Sequence, residues 1–164
     1  MANKALYILA GYDETTDAHL SDIQNKLYDR GFTGTHTKNI PQHITLGSFS
    51  TDKEDELTEF LHTLSNEVRS FDVTFNHVGI FGGSKVLFIA PDCNEQLLKL
   101  KEHFGSAFNW TPHTTMLIDE PDVICRALPT VMQHFSSFKG IVTTLHLYEF
   151  FPARHILSIP LKEE

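Results

Sequence analysis

Cysteine is scarce in this 164-residue chain, where Cys93 and Cys125 are the whole supply and no CxxC spacing occurs. Two distant thiols cannot staple a small secreted scaffold or build a four-thiolate zinc site, so both read as ordinary semi-buried side chains. With no evident secretory leader either, a cytoplasmic setting is expected. Basic residues are also short, 13 against 21 acidic ones, which leaves a formal charge of −8. Such a balance argues against a protein that grips long nucleic acid through its phosphates, although a small or terminal phosphate is easily accommodated. Long apolar runs are missing as well. Residues 5–10 are too few to span a bilayer and Asp13-Glu14 follows at once, so no membrane partner is expected. Neither HExxH nor any other close His/Cys/Asp spacing of a metal site occurs, and neither metal nor cofactor is expected.

What the chain does have is enough apolar content, 41%, to bury a sizeable core. No low-complexity stretch or linker divides it, so residues 1–164 are expected to form one domain. Punctuation then implies an order of elements. A strand over 5–10 precedes a helix over 16–28, closed by Gly31, and a strand over 42–49. Thr51 and Glu54 form a capping-box pattern ahead of the apolar stripe Leu57, Phe60, Leu61, Leu64, Val68. Strands over 71–81 and 86–90 flank the Gly82-Gly83 turn, and Asn94 caps a helix reaching Gly105. A further strand, a helix over 122–135 and closing strands over 141–150 and 155–161 complete the chain. The order strand, helix, strand, helix, strand thus occurs twice, with one extra strand at the end. An α+β fold follows: two pseudo-symmetric lobes with mostly antiparallel sheets around a central groove, helices outside.

Each lobe contributes one copy of a short pattern, His43-Ile44-Thr45-Leu46 and His113-Thr114-Thr115-Met116. Of the 10 histidines, only these two have threonine two places on. Side chains alternate across a strand, so His43 and Thr45 share one face while Ile44 and Leu46 anchor the other. The same alternation pairs His113 with Thr115 and turns Thr114 and Met116 away. Two such surfaces facing each other would hold a phosphate.

The doubled motif, with a proline shortly before each histidine (Pro41 and Pro112), resembles the signature of the 2H phosphoesterases. That superfamily contains the bacterial 2′-5′ RNA ligase proteins and the 2′,3′-cyclic phosphodiesterases, and the resemblance extends over nearly the whole chain. It implies the two-lobed fold and a metal-independent phosphodiesterase. The implied substrate is a 2′,3′-cyclic phosphate or 2′-5′ linkage at an RNA terminus or on a small nucleotide, and some members of the superfamily also join RNA ends in reverse. His43, Thr45, His113 and Thr115 would be the catalytic residues. Two imidazoles with pKa near ~6.5 suit a base and an acid working close to neutral pH. The threonine hydroxyls can donate to the non-bridging oxygens where charge accumulates. The alternative is a catalytically weak nucleotide-binding or regulatory module that keeps the groove without useful turnover.

Three further residues are candidate substrate contacts, beside the plainer readings of core packing for Phe49 and Trp110 and of a solvated surface charge for Lys85. Phe49 stands at even spacing from His43, hence on its face if the strand stays regular, where its ring could stack on a base. Lys85 follows the glycine turn and could supply countercharge, and Trp110 could wall the pocket. The remaining histidines lack the threonine partner; of these, His36 and His155 fall near loops that approach the groove.

Overall fold

The computed structural model describes residues 4–83 and 85–163. In chain order its elements are β1 (Ala5–Tyr12), α1 (Glu14–Asp29), β2 (His43–Phe49), α2 (Glu54–Ser65), β3 (Phe71–Ile80), β4 (Val86–Pro91), α3 (Glu95–Glu102), β5 (Thr114–Ile118), α4 (Pro121–His134), β6 (Phe138–Phe150) and β7 (Arg154–Pro160). The doubled order expected from the sequence is present, within a mixed α+β fold. All strand pairs are antiparallel.

The lobes are joined rather than merely packed. One path runs β2-β1-β6-β3-β4-β5, with β7 also paired to β6. The long strand β6 makes this continuity: its first residues, Phe138–Val142, pair with β3, while Val142–Phe150 pair with β1. β2 and β5 end the path, yet they meet again, because the Thr114 hydroxyl of β5 donates to the His43 carbonyl of β2 at 3.0 Å. A sheet that twists with one hand over many strands brings its ends toward each other in this way. The two motif strands are thereby set side by side.

One face of the sheet is sealed by helices. Leu20, Ile23 and Leu27 of α1, Leu57, Leu61 and Leu64 of α2, Leu97 and Leu100 of α3, and Ile124, Ala127 and Val131 of α4 are all buried in one core. Those spacings put each set on one helical stripe. Leu6, Ile8, Ala10, Ile44, Leu46 and Phe75 meet them from the strands. Burying each such aliphatic side chain contributes about 1.5–3 kcal/mol.

Local signals differ in how far they carry. Asn94 caps α3 as expected, its side chain accepting from the Leu97 amide at 2.8 Å. The capping box does not form: residues Thr51–Lys53 make a short 3-10 turn, and α2 begins at Glu54 without a side-chain cap. The Glu54 carboxylate, the other half of the box, is instead paired with the Arg154 guanidinium of β7. Cys93 and Cys125 are exposed rather than semi-buried. No helix among the described residues is long and apolar enough to cross a membrane.

Candidate active site

The two motifs are built alike. Ile44 and Leu46 are fully buried while His43 and Thr45 are half-buried on the opposite face, and Thr114 and Met116 are buried while His113 and Thr115 are half-buried. Each motif ends in a bulge. On β2, Thr45 lies across from Leu9 and Gly47 across from Ile8, so Leu46 is the extra residue. On β5, Thr115 lies across from Phe88 and Leu117 across from Leu87, so Met116 is the extra residue. Each bulge strengthens the local twist, and the apolar fourth residue of the motif is the one it drives into the core.

The imidazoles are also held alike. His43 Nδ1 lies 2.7 Å from the Pro41 carbonyl and His113 Nδ1 lies 2.9 Å from the Thr111 carbonyl, in both cases two residues back. A carbonyl oxygen only accepts, so each Nδ1 carries the hydrogen and each Nε2 is left as the atom that exchanges a proton. Burial is the main influence on both rings and pushes both pKa values below the ordinary value; the carbonyl contacts oppose it in part. His43 also feels His113, whose positive charge disfavours a second one nearby. His113 is packed against two aromatic rings, Phe81 at 4.7 Å and Phe88 at 5.3 Å between centroids.

A cavity of about 460 Å³ opens beside the motifs. His43, Thr45 and Thr115, but not His113, line it from the strands, and Tyr7, Phe150 and Phe151 add an aromatic side. The opposite wall is the segment between α1 and β2, with His36 and Lys38, backed by Tyr28 of α1. That volume falls inside the range of small-molecule sites.

Comparison with known proteins decides the family. The model of the 2′-5′ RNA ligase superfamily matches residues 12–150, which includes both motifs. The chain belongs to the 2′-5′ RNA ligase superfamily. This places it among the 2H phosphoesterases that its paired motifs resemble. Solved structures agree on the fold. Apo LigT of E. coli is 17% identical with a TM-score of 0.58, covering 98% of this chain and 99% of that one. LigT complexed with 3′-AMP is 18% identical with a TM-score of 0.61 over 98% and 99% of the two chains. TT0787 of Thermus thermophilus is 17% identical, TM-score 0.62, again over 98% and 99%. No curated protein matches the chain.

Within this superfamily member the three other candidate contacts lie away from the cavity. Phe49 does not share the face of His43. The bulge at Leu46 shifts the alternation by one, so Gly47 and Phe49 pair with the core-facing Ile8 and Leu6, and the Phe49 ring packs on the core. Lys85 is paired with Glu120, Nζ to Oε1 2.7 Å, which takes up its charge at the surface. Trp110 packs on the core with the Lys101 ammonium 5.7 Å from its ring centre.

Other residues reach the groove, of which only His36 has a sequence signal, its place near a loop. His36 lines the cavity, its Nε2 2.7 Å from the Tyr28 hydroxyl and 3.3 Å from the Gln24 amide nitrogen. His155 does not line it and instead bonds Ser158 at 2.7 Å. His146 shares the face of His43, since Leu9 pairs with Thr45 on one side and with His146 on the other. Its Nδ1 is 2.6 Å from the Ser158 hydroxyl, and its ring lies over Gly11, where a Cβ would come within 2.4 Å of Nε2. Burial, then the neighbouring His43 and His155, push its pKa down to about 4. Gly11 therefore does what only glycine can, admitting a neutral third imidazole beside the motif. Among the described residues no group of three or more His, Cys, Asp or Glu is gathered to hold a metal ion.

Proposed function

We propose that this chain is a metal-independent phosphodiesterase that opens 2′,3′-cyclic phosphates, or cleaves 2′-5′ linkages, on a small nucleotide or RNA terminus. The observation that carries the reading is the duplicated arrangement: two imidazoles with Nδ1 fixed on a carbonyl and Nε2 unbonded among the described residues, each with a threonine hydroxyl on its face. One Nε2 takes a proton from the attacking water while the other, protonated, gives one to the departing ribose oxygen. The Thr45 and Thr115 hydroxyls donate to the non-bridging oxygens as negative charge builds there. Because the two halves are alike, the roles can exchange between directions. In RNA-end ligation a 5′-hydroxyl takes the place of water, and one Nε2 accepts its proton as it attacks the cyclic phosphate. The other protonates the ribose 3′-oxygen as the P–O3′ bond breaks, the reverse of 2′-5′ cleavage by that 3′-hydroxyl.

A nucleotide ligand is supported by the aromatic side of the cavity, Tyr7, Phe150 and Phe151, against which a base can stack. LigT, a distant relative of the same fold, has been crystallised with 3′-AMP, ATP and NADP+. The decisive assay offers purified protein, with EDTA present, the four nucleoside 2′,3′-cyclic phosphates and a 2′-5′ linked dinucleotide. Turnover is expected, falling about 10²–10⁴-fold in His43→Ala or His113→Ala with the fold retained. Nucleotide binding without turnover on any of these would replace the enzyme by a binding module; turnover abolished by EDTA and restored by a divalent ion would refute the metal-independent chemistry.

A further inference from the structure

The cavity beside the motifs is larger than one phosphate needs, and its lining has an unusual composition. The chain holds 21 acidic residues and a net charge of −8, yet none of the cavity-lining residues is acidic. One lysine, Lys38, lines it. In so acidic a protein, a wall without carboxylates that presents an ammonium favours an anion over any other ligand.

Lys38 is placed there by its surroundings. Its ammonium lies 5.0 Å from the centre of the Tyr28 ring. On that same ring His36 stacks, centroids 6.0 Å apart and planes 16° apart, while its Nε2 bonds the Tyr28 hydroxyl. The Gln24 amide donates to the Met116 carbonyl and accepts from Gln42, which ties this wall to β5 and to the residue before His43. Asn39, next to Lys38, sits in the left-handed region at φ 65°, a conformation asparagine tolerates and most residues avoid. The segment is thus bent so that Lys38 faces the cavity across Tyr28. Among the described residues no carboxylate lies within ion-pairing distance of Lys38. Burial and then the Lys38 charge push the His36 pKa down, so Lys38 rather than His36 is the main source of positive charge on this wall.

We infer that Lys38, held by Tyr28 and His36, forms a second anion subsite that takes a further phosphate of a nucleotide whose reacting phosphate lies at the paired motifs. The inference rests on the reading that those motifs hold a phosphate. It narrows the ligand to a nucleotide carrying two separate phosphate groups, such as an RNA end with a 5′-phosphate or an internucleotide linkage beside the reacting one. An ammonium over an aromatic ring keeps its hydrogens free on the far side, so it can bind the anion without leaving Tyr28.

Calorimetric titration with adenosine 3′-monophosphate and adenosine 3′,5′-bisphosphate tests this without relying on turnover. The bisphosphate should bind roughly three- to tenfold more tightly, an advantage that shrinks as salt is raised. In Lys38→Gln the ratio of the two affinities should fall to about one, and in Tyr28→Leu it should fall part of the way. Equal binding of the two nucleotides by the parent protein, a ratio unchanged in Lys38→Gln, or no binding of either would overturn the subsite. A bisphosphate preference lost in Lys38→Gln, in a protein without turnover, upholds the subsite while refuting the hydrolase; turnover with equal binding does the reverse.

Discussion

Thr114 is the residue through which the two motif strands hold each other, and its replacement by valine is a sharp test of the architecture. Its hydroxyl lies 2.7 Å from the Tyr12 hydroxyl and 3.0 Å from the His43 carbonyl oxygen. The carbonyl can only accept, so Thr114 donates to it and must receive its own bond from Tyr12. The chain of donors runs Tyr12 to Thr114 to His43, linking β1, β5 and β2 inside the protein. Burial pushes the Tyr12 hydroxyl well above the ordinary phenol range, as expected for a group that stays a neutral donor. Valine matches threonine in shape but strands two buried groups, the Tyr12 hydroxyl and the His43 carbonyl. At about 1–3 kcal/mol for each unsatisfied group, the loss should be about 3 kcal/mol, a large part of the stability of an ordinary domain.

Tyr12→Phe gives the internal control. It removes the first donor but leaves Thr114 bonded to His43, so it should cost only about 1 kcal/mol. The double variant should be less destabilised than the two losses added together, because phenylalanine has no hydroxyl left to strand. For a chain of this length, the midpoint of thermal unfolding should drop about 6–12 °C in Thr114→Val and about 2–4 °C in Tyr12→Phe. Under the proposed function, Thr114→Val should also lower kcat, since it loosens the carbonyl that precedes Ile44 and with it the placement of the His43 ring. Differential scanning calorimetry and steady-state kinetics read both. Equal losses in the two single variants, or strict additivity, would refute the donor order and with it the coupling between the motif strands.

The remaining predictions concern the third imidazole and protons. Gly11→Ala should destabilise the fold by about 1–3 kcal/mol, because its Cβ would meet the His146 ring, which is buried and tied to Ser158; an unchanged urea midpoint would show that the ring swings away freely. His146 is neutral in both states at pH 7. Between about 6.5 and 4 the unfolded chain binds a proton that the folded protein refuses, so stability should fall with pH across that window by up to about 3 kcal/mol and level off below it. His36, His43 and His113 act in the same direction. Urea unfolding from pH 7 to 4 should therefore be less pH-dependent in His146→Gln, and an identical slope would contradict this assignment. For turnover, kcat/KM should trace a bell whose limbs are coupled properties of the His43–His113 pair. Burial lowers both rings, so the optimum should lie on the acid side of 6.5 rather than at neutrality; an optimum above pH 7 in the free protein would refute it.

Both motifs, their shared faces and the doubled order of elements were legible in the residues alone, because strand alternation and helix periodicity are properties of the backbone that any stretch carries with it. The 2H resemblance rested on those same local patterns, and the family match includes both. The misplacement of Phe49 marks the limit of that reading. Even spacing put it beside His43, and a bulge that exists only because Leu46 has no partner on β1 turned it into the core. Lys85 and Trp110 take the plainer of their two readings for a related reason: Glu120 and the core claim them, and neither neighbour is close in sequence. Conversely, the wall with His36 and Lys38 carries no periodic pattern, and nothing set His146 apart from the histidines around it. Only the tertiary structure joined the lobes through β6, brought Tyr12 to Thr114 across 102 positions, and fixed each motif histidine by its Nδ1 in surroundings that lower its pKa. Local geometry is decided by covalent neighbours. Burial, charge and who receives a hydrogen bond are decided by whichever distant residues the packing brings together.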